Sequence, residues 1–329
     1  MVKLTDYPVE TTALSTGGPS EPLRQGFGRG LVAAGERNAQ VVALCADLTD
    51  STSMRGFAER FPERFIEVGV AEQNLVTVAA GLALAGFIPF TASYAAFSPG
   101  RNWEQIKTTA SLNRQPVKIV GAHAGLVTGL DGATHQMLED IALMRVIPNM
   151  VVLAPGDSRE AEKATLALAA DDRPGYIRLA REATPLFSQP EAPFEIGPAY
   201  QLTIGHDVTV VSTGAMTPEA LHAADLLTDQ NIAVEVIHCP TIKPLDLDTI
   251  WASAKRTRRV VTVEEGQIIG GLGSAVAEGL SEVHPVPIKR LGVRDRFGQT
   301  GQPQELWNAY ELSAPHLARQ IGAFVRQPR

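Results

Sequence analysis

Cysteine is scarce: Cys45 and Cys239 are the only two in 329 residues, each inside an apolar, strand-like run. Neither has a paired spacing or a histidine cluster nearby, which excludes a disulfide framework and a thiolate metal centre. Buried free thiols in a reducing, cytoplasmic compartment are expected. A basic surplus is missing as well. With a formal net charge of −7 and both signs interspersed, the chain offers no basic face for nucleic acid and no polybasic membrane anchor. Small molecules and other proteins are the favoured partners. The first residues, MVKLTDYPVETTALSTGGPS, lack the apolar core of a signal peptide. Long uncharged runs are confined to LVTVAAGLALAGFIPFTASYAAF, 75–97, which is rich in Ala, Gly and Thr and carries Pro89. That composition predicts a small-residue helix packed in a soluble core rather than a membrane span.

Apart from these absences, the chain is ordinary globular protein, 44% apolar and 20% charged, long enough for two α/β domains with full cores. Strand-like runs VVALC (41–45), FIEVGV (65–70), IPFTA (88–92), VKIVGA (117–122), MVVLA (150–154) and YIRLA (176–180) alternate with helical patterns near 71–85, 101–113, 136–145 and 157–171. Such alternation predicts a mainly parallel sheet with helices on both faces. TPLFSQPEAPFEIGP, 184–198, loses periodicity and holds four prolines, as a linker does. A second α/β unit follows, with DVTVVS (207–212), IAVEVIH (232–238), RVVTVEE (259–265) and VPIKRLG (286–292) as strands. The expected organisation is an N-terminal extension (1–20), a doubly wound domain (21–184), a linker (185–198) and a smaller doubly wound domain (199–329). No repeat of fixed period appears.

In open parallel sheets, ligands bind at the carboxyl ends of the strands. The residues there are polar: Asp47 after the first strand, Glu72 after the second, Tyr94 and Phe97 after the third, His123 to His135 after the fourth, and Arg178 and Arg181 at the sixth. Glu72 is flanked by Val70, Ala71, Leu75 and Val76, so desolvation should raise its pKa and make a proton-sharing carboxyl plausible. As a plain first-turn residue it would favour the helix dipole. In GAHAGLVTGLDGATHQMLEDIALMR, 121–145, four glycines precede a helix expected from about Gln136, and His123, Asp131 and His135 punctuate the loop. Backbone of this kind comes close to a ligand. Two histidines twelve positions apart, with no third ligand at fixed spacing, do not support a metal site.

GVAEQN, FIPFTASYAAF and GLDGATHQMLEDIALMRVIPNMVVLAPGDSRE together resemble the pyrimidine-binding domain of transketolases, and residues 195–329 resemble the transketolase C-terminal domain. The resemblance covers nearly the whole chain and implies thiamine diphosphate chemistry. On it, Glu72 is the glutamate that hydrogen-bonds the aminopyrimidine nitrogen, while Tyr94 and Phe97 pack against that ring. A further family aromatic falls here at Pro99 and Gly100. Asp47, with Leu48 beside it, contacts cofactor from the neighbouring subunit of the dimer. His135 and Asp131 match contacts to sugar hydroxyls, with His135 assisting proton transfer. Arg24, Ser51, His123 and Arg181 match groups that hold the sugar phosphate, and Arg178 is a weaker candidate for the same task. Two arginines, a histidine and a hydroxyl suit a phosphate dianion.

Thiamine enzymes hold Mg²⁺ (or Ca²⁺) and the diphosphate through a Gly-Asp-Gly motif, which this sequence lacks; LDGA at 130–133 precedes a histidine and a helix instead. The resemblance therefore implies the C-terminal subunit of a split transketolase, with metal and diphosphate held by a separate N-terminal subunit in an α2β2 heterotetramer. Its reaction would be ketol transfer between sugar phosphates, in the pentose phosphate pathway or a specialised route. The β-subunit of a 2-oxo acid dehydrogenase, a deoxyxylulose-phosphate synthase fragment and a non-catalytic scaffold stay open as alternatives. EEGQIIGGLGSAVAEGL does not meet the dinucleotide fingerprint, and close helix-to-strand packing is the expected reason for its glycines.

Overall fold

The computed structural model describes residues 2–14 and 18–328. In chain order its strands are β1 (Ser20–Pro22), β2 (Val41–Cys45), β3 (Phe65–Glu67), β4 (Ile88–Tyr94), β5 (Lys118–Ala124), β6 (Val151–Leu153), β7 (Gly175–Ala180), β8 (Ala183–Pro185), β9 (Tyr200–Gln201), β10 (Val208–Ser212), β11 (Val234–His238), β12 (Thr241–Lys243), β13 (Val260–Gln267) and β14 (Ile288–Val293). Near-continuous apolar strands such as VVALC need cover on both faces, and they receive it. Val41, Ala43 and Cys45 point into one core with Phe27, Leu31 and Ala161, whereas Val42 and Leu44 point into another with Leu75, Val76 and Ala79. Successive side chains of a pleated strand face opposite ways, so helices 23–37 and 158–169 cover one face and helix 72–84 the other.

The first sheet runs β12-β6-β7-β5-β4-β2-β3, parallel except for β12. The second runs β14-β13-β10-β11-β9, parallel except for β9. Val208 and Val210 pack toward Ala220 and Leu317, while Val211 packs toward Ile250 and Leu272, so this sheet too is wound on both faces. The architecture is α/β with two separately wound sheets. Cys45 and Cys239 are buried free thiols. No described helix is long and apolar enough to cross a membrane; the 75–97 stretch divides between helix 72–84 and β4.

Three connections bind the sheets together. β12 lies in the sequence of the second unit yet pairs antiparallel with β6, Thr241 opposite Leu153. The amino-terminal segment touches both units, with Leu4 bridged to Thr203 and Glu10 Oε1 accepting from Arg159 NH1 at 2.9 Å. The proline-rich stretch expected to be a linker is packed down at its start. Phe187 is fully buried, and the Asp157 carboxylate accepts from the backbone N–H groups of Phe187 (3.0 Å) and Ser188 (2.8 Å).

Several element boundaries differ from expectation for local reasons. The strand expected over 65–70 stops at Glu67, because Gly69 adopts φ +71° and its N–H turns back to Glu67 Oε1 at 2.9 Å. The helix expected from Gln136 starts at Asp140. Gln136 is instead a buried strut whose Nε2 donates to the carbonyls of Leu126 and Gln299, both at 3.0 Å. The loop before it contains a 3₁₀ segment, Leu126–Asp131. The helix expected at 101–113 is a single turn, Trp103–Gln105, continued as a π-helical stretch, Ile106–Ser111.

Candidate active site

Strand order alone lines up the chemistry. Across β7-β5-β4-β2-β3, the carboxyl edge presents Arg181, His123, Tyr94, Asp47 and Glu72 in turn. Residues from 47 to 181 thereby share one rim.

Glu72 opens helix 72–84 and is only 1% exposed. Ala71, Leu75 and Val76 bring it there: the helix buries Leu75, Val76, Ala79, Ala80 and Ala83, and that same face carries its first residue inward. The carboxyl isolated among apolar neighbours is not what forms. Arg101 NH1 lies 2.7 Å from Oε2, Ser93 Oγ contacts Oε1 at 3.4 Å, and Asn102 Nδ2 donates to the Glu72 carbonyl at 2.8 Å. The sequence carried no sign of Arg101 or Asn102, because both reach Glu72 from about thirty residues away.

Tyr94 and Phe97 stand with ring centroids 6.0 Å apart and planes 21° apart. His123 stacks on Tyr94 at 3.9 Å, and His135 meets Phe97 edge-on at 5.5 Å. His123 has φ +57° and is buried, and its Nδ1 is without a hydrogen-bond partner. Burial first, then the positive fields of Arg24 and Arg181 and the neighbouring His135, push its pKa down to about 3. At neutral pH it is a neutral imidazole with one ring nitrogen waiting for a partner. Arg24 NH1 donates to the carbonyl of Arg181, and Arg181 NH1 to that of Thr128 at 3.1 Å. Both guanidinium groups are half-buried beside the imidazoles, with Glu182 3.5 Å from Arg181 NH1.

The other expected residues stand on separate loops. Asp131 ends the 3₁₀ segment in an exposed position, while Asp47, Leu48 and Ser51 occupy the loop after β2. That loop has an organiser which the sequence reading passed over. Glu67 accepts from the N–H groups of Asp47 (2.7 Å) and Gly69, and from Thr49 Oγ1 at 3.3 Å, holding Asp47 at φ +58°. An acidic residue ending a strand was its only signal.

Arg178 is not a free phosphate ligand. It is buried, its Nε 2.9 Å from Asp140 Oδ2 and its NH2 2.7 Å from the Glu265 carbonyl. Asp140 also accepts from Tyr176 Oη at 2.7 Å. Glu265, from β13, accepts on Oε1 from Val127 N–H (2.9 Å) and Trp307 Nε1 (3.0 Å), so the second unit grips the histidine-bearing loop. Burial pushes Glu265 up to about 7, against the lowering pull of Arg178, and pushes its neighbour Glu264 up to about 7 as well. The glycines that follow serve close packing. A Cβ on Gly271 would lie 1.9 Å from Glu264 Oε2, and one on Gly273 2.6 Å from Thr262 Oγ1.

A buried carboxyl beside paired aromatic faces, with a cationic corner one strand away, is a site for a flat heterocycle next to an anionic substrate. Comparison with known proteins gives the same direction. Residues 22–185 match "Transketolase, pyrimidine binding domain" and residues 197–317 match "Transketolase, C-terminal domain". A "Putative transketolase C-terminal section" of Methanocaldococcus jannaschii is 43% identical over 91% of this chain and 95% of its own length. The chain belongs to the transketolase family. Another relative, the "6-deoxy-6-sulfo-D-fructose transketolase subunit SqwH" of Clostridium sp. (strain MSTE9), is 42% identical over 86% of this chain and 88% of its own. A solved structure described as "Split gene transketolase, inactive beta4 tetramer" superposes with a TM-score of 0.86, at 42% identity over 95% of this chain and all of that one. The relatives it matches over nearly their whole length are thus described as a C-terminal section and a subunit, in a family whose chemistry depends on thiamine diphosphate.

Proposed function

We propose that this chain is the C-terminal subunit of a two-chain, thiamine diphosphate-dependent transketolase that moves a two-carbon ketol unit from a ketose to an aldose, both with an anionic terminus such as phosphate. The observation that carries this reading is the Glu72 carboxylate, buried at the carboxyl edge of the sheet within reach of the Tyr94 and Phe97 faces.

The residues present fit the aminopyrimidine half of the cofactor. Glu72 is a buried carboxylate held by a long contact to Ser93 and by the half-exposed Arg101, and His123 Nδ1 is an unpaired buried polar atom nearby. When bound, thiamine diphosphate supplies the carbon nucleophile that opens the ketose next to its carbonyl. This chain does the rest by position and charge. Glu72 shares a proton with the pyrimidine nitrogen in a dry setting, while Tyr94 and Phe97 set the plane of the ring. His135 hands protons to and from substrate hydroxyls, with Asp131 as a further contact. Arg24 and Arg181, helped by neutral His123 and by Ser51, hold the anionic end through charge-assisted hydrogen bonds. Asp47 and Leu48, presented by Glu67, serve the cofactor across a subunit boundary.

The sequence holds no Gly-Asp-Gly; on the model of relatives described as a C-terminal section and a subunit, the diphosphate and its Mg²⁺ are assigned to a separate N-terminal subunit and the working assembly to an α2β2 heterotetramer in the cytoplasm. The relative described as an inactive β4 tetramer supports a chain that needs its partner.

Glu72→Gln tests the assignment in the reconstituted pair. Ketol transfer should fall by at least about a hundredfold, the scale of lost proton transfer, while the sedimentation profile of the assembly stays unchanged. Full activity in that variant would remove Glu72 from the mechanism, and turnover by this chain without a partner would remove the two-chain reading.

A further inference from the structure

Arg101 has no part in the mechanism just described, yet it touches the site at two points. One guanidinium nitrogen lies 2.7 Å from Glu72 Oε2, and the guanidinium carbon stands 4.7 Å from the centre of the Phe97 ring. These are the carboxylate and the aromatic face assigned above to the aminopyrimidine. A guanidinium is flat, delocalised and rich in N–H donors, and it stacks on aromatic rings. It meets the same two demands as a protonatable aminopyrimidine, and both cannot lie on one face at once.

Charge gives Arg101 a reason to be there. A carboxylate with 1% exposure and no counter-ion is unfavourable, and Arg101 supplies that counter-ion. Its own side chain is 48% exposed, so the pair opens to water on one side only. The next residue is fixed: Asn102 is fully buried, with Nδ2 bonded to the Glu72 carbonyl at 2.8 Å and to Ser98 Oγ at 3.2 Å. The backbone beneath Arg101 is therefore held by its neighbour, while its long side chain borders solvent.

We propose that Arg101 is a place-holder for the cofactor's aminopyrimidine: it neutralises Glu72 and covers Phe97 in the empty subunit, and it withdraws when the heterocycle enters. The proposal rests on the cofactor assignment above. It makes Arg101 a positioning residue that sets cofactor affinity.

The test is equilibrium binding of thiamine, which carries the aminopyrimidine without the diphosphate, to the full chain, followed by ligand-observed NMR. Arg101→Ala should bind roughly two- to fivefold more tightly than the unaltered chain, the range that a half-exposed ion pair supports. Arg101→Lys keeps the charge but loses the flat fork, and should gain less; it also carries the test if the alanine variant folds poorly by circular dichroism. Adding Glu72→Gln to Arg101→Ala should cancel the gain, since the carboxylate is what the two groups compete for. Equal or weaker binding by both arginine variants overturns the place-holder while leaving the cofactor face intact. Thiamine binding by none of the proteins overturns both.

Discussion

His123 shows how one residue can be set by everything around it. Its ring lies on Tyr94, its backbone sits at φ +57°, and its carbonyl accepts from Thr128 Oγ1 at 2.5 Å. Two arginines and a second histidine oppose a proton on it, and burial opposes it more. A histidine held near 3 when folded and near 6.5 when unfolded takes up its proton first in the unfolded chain. Its contribution to stability is therefore complete above about pH 6.5 and is lost progressively as pH falls toward 3. His123→Asn, which suits a positive φ, should flatten that part of the stability profile in urea titrations across pH; an unchanged slope would count against the low folded value. At this scale the sequence was informative where a polar residue ended a strand, as with Tyr94, His123 and Glu72. It was silent on Arg101, Asp140 and Glu265, since their roles arise from partners 29, 36 and 138 residues away.

Elements were more legible than their joints. The strands announced themselves through β-branched runs, and the alternation of Val41, Ala43 and Cys45 against Val42 and Leu44 on the two faces follows from the pleat alone. The loop 126–139 did not, because its shape depends on Gln136 reaching the carbonyl of Gln299, which no local pattern records. Helix 23–37 illustrates a further constraint. It lies against helix 158–169 so closely that a Cβ on Gly26 would fall 1.8 Å from the Ser158 carbonyl oxygen, and one on Gly30 2.7 Å from that of Glu162. Backbone on both sides cannot yield as a side-chain tip would. Gly26→Ala should destabilise the fold by at least about 1–3 kcal/mol, read as a lower urea midpoint at unchanged m-value. Because Arg24 stands on the same helix, weaker binding of an anionic substrate should accompany it.

For the whole molecule, the contacts between units matter more than either unit's plan. Glu265 reaches from the second sheet to the histidine loop of the first, sealed by Trp307. With folded values raised to about 7, Glu264 and Glu265 contribute stability that is full below about 4.5 and fades as pH rises through 7. This runs opposite to His123. Glu265→Gln should weaken the pH dependence between about 4.5 and 7, measured as melting temperature across that window; a curve superimposable on that of the unaltered chain would mean Glu265 does not titrate there. The two-unit plan was readable from the alternating pattern and the four prolines, whereas the interlocking of the units was not.

β12 carries that interlocking furthest. Three residues from the second unit supply the outermost strand of the first sheet, so the units share backbone hydrogen bonds, and Lys243 Nζ adds a bond to the Arg145 carbonyl at 3.0 Å. A fragment cut anywhere in 186–198 would leave β6 without its cover, its N–H and C=O groups open to any extended segment that met them. Such a fragment would tend to pair with copies of itself and aggregate, so the two units are best expressed and engineered in one piece.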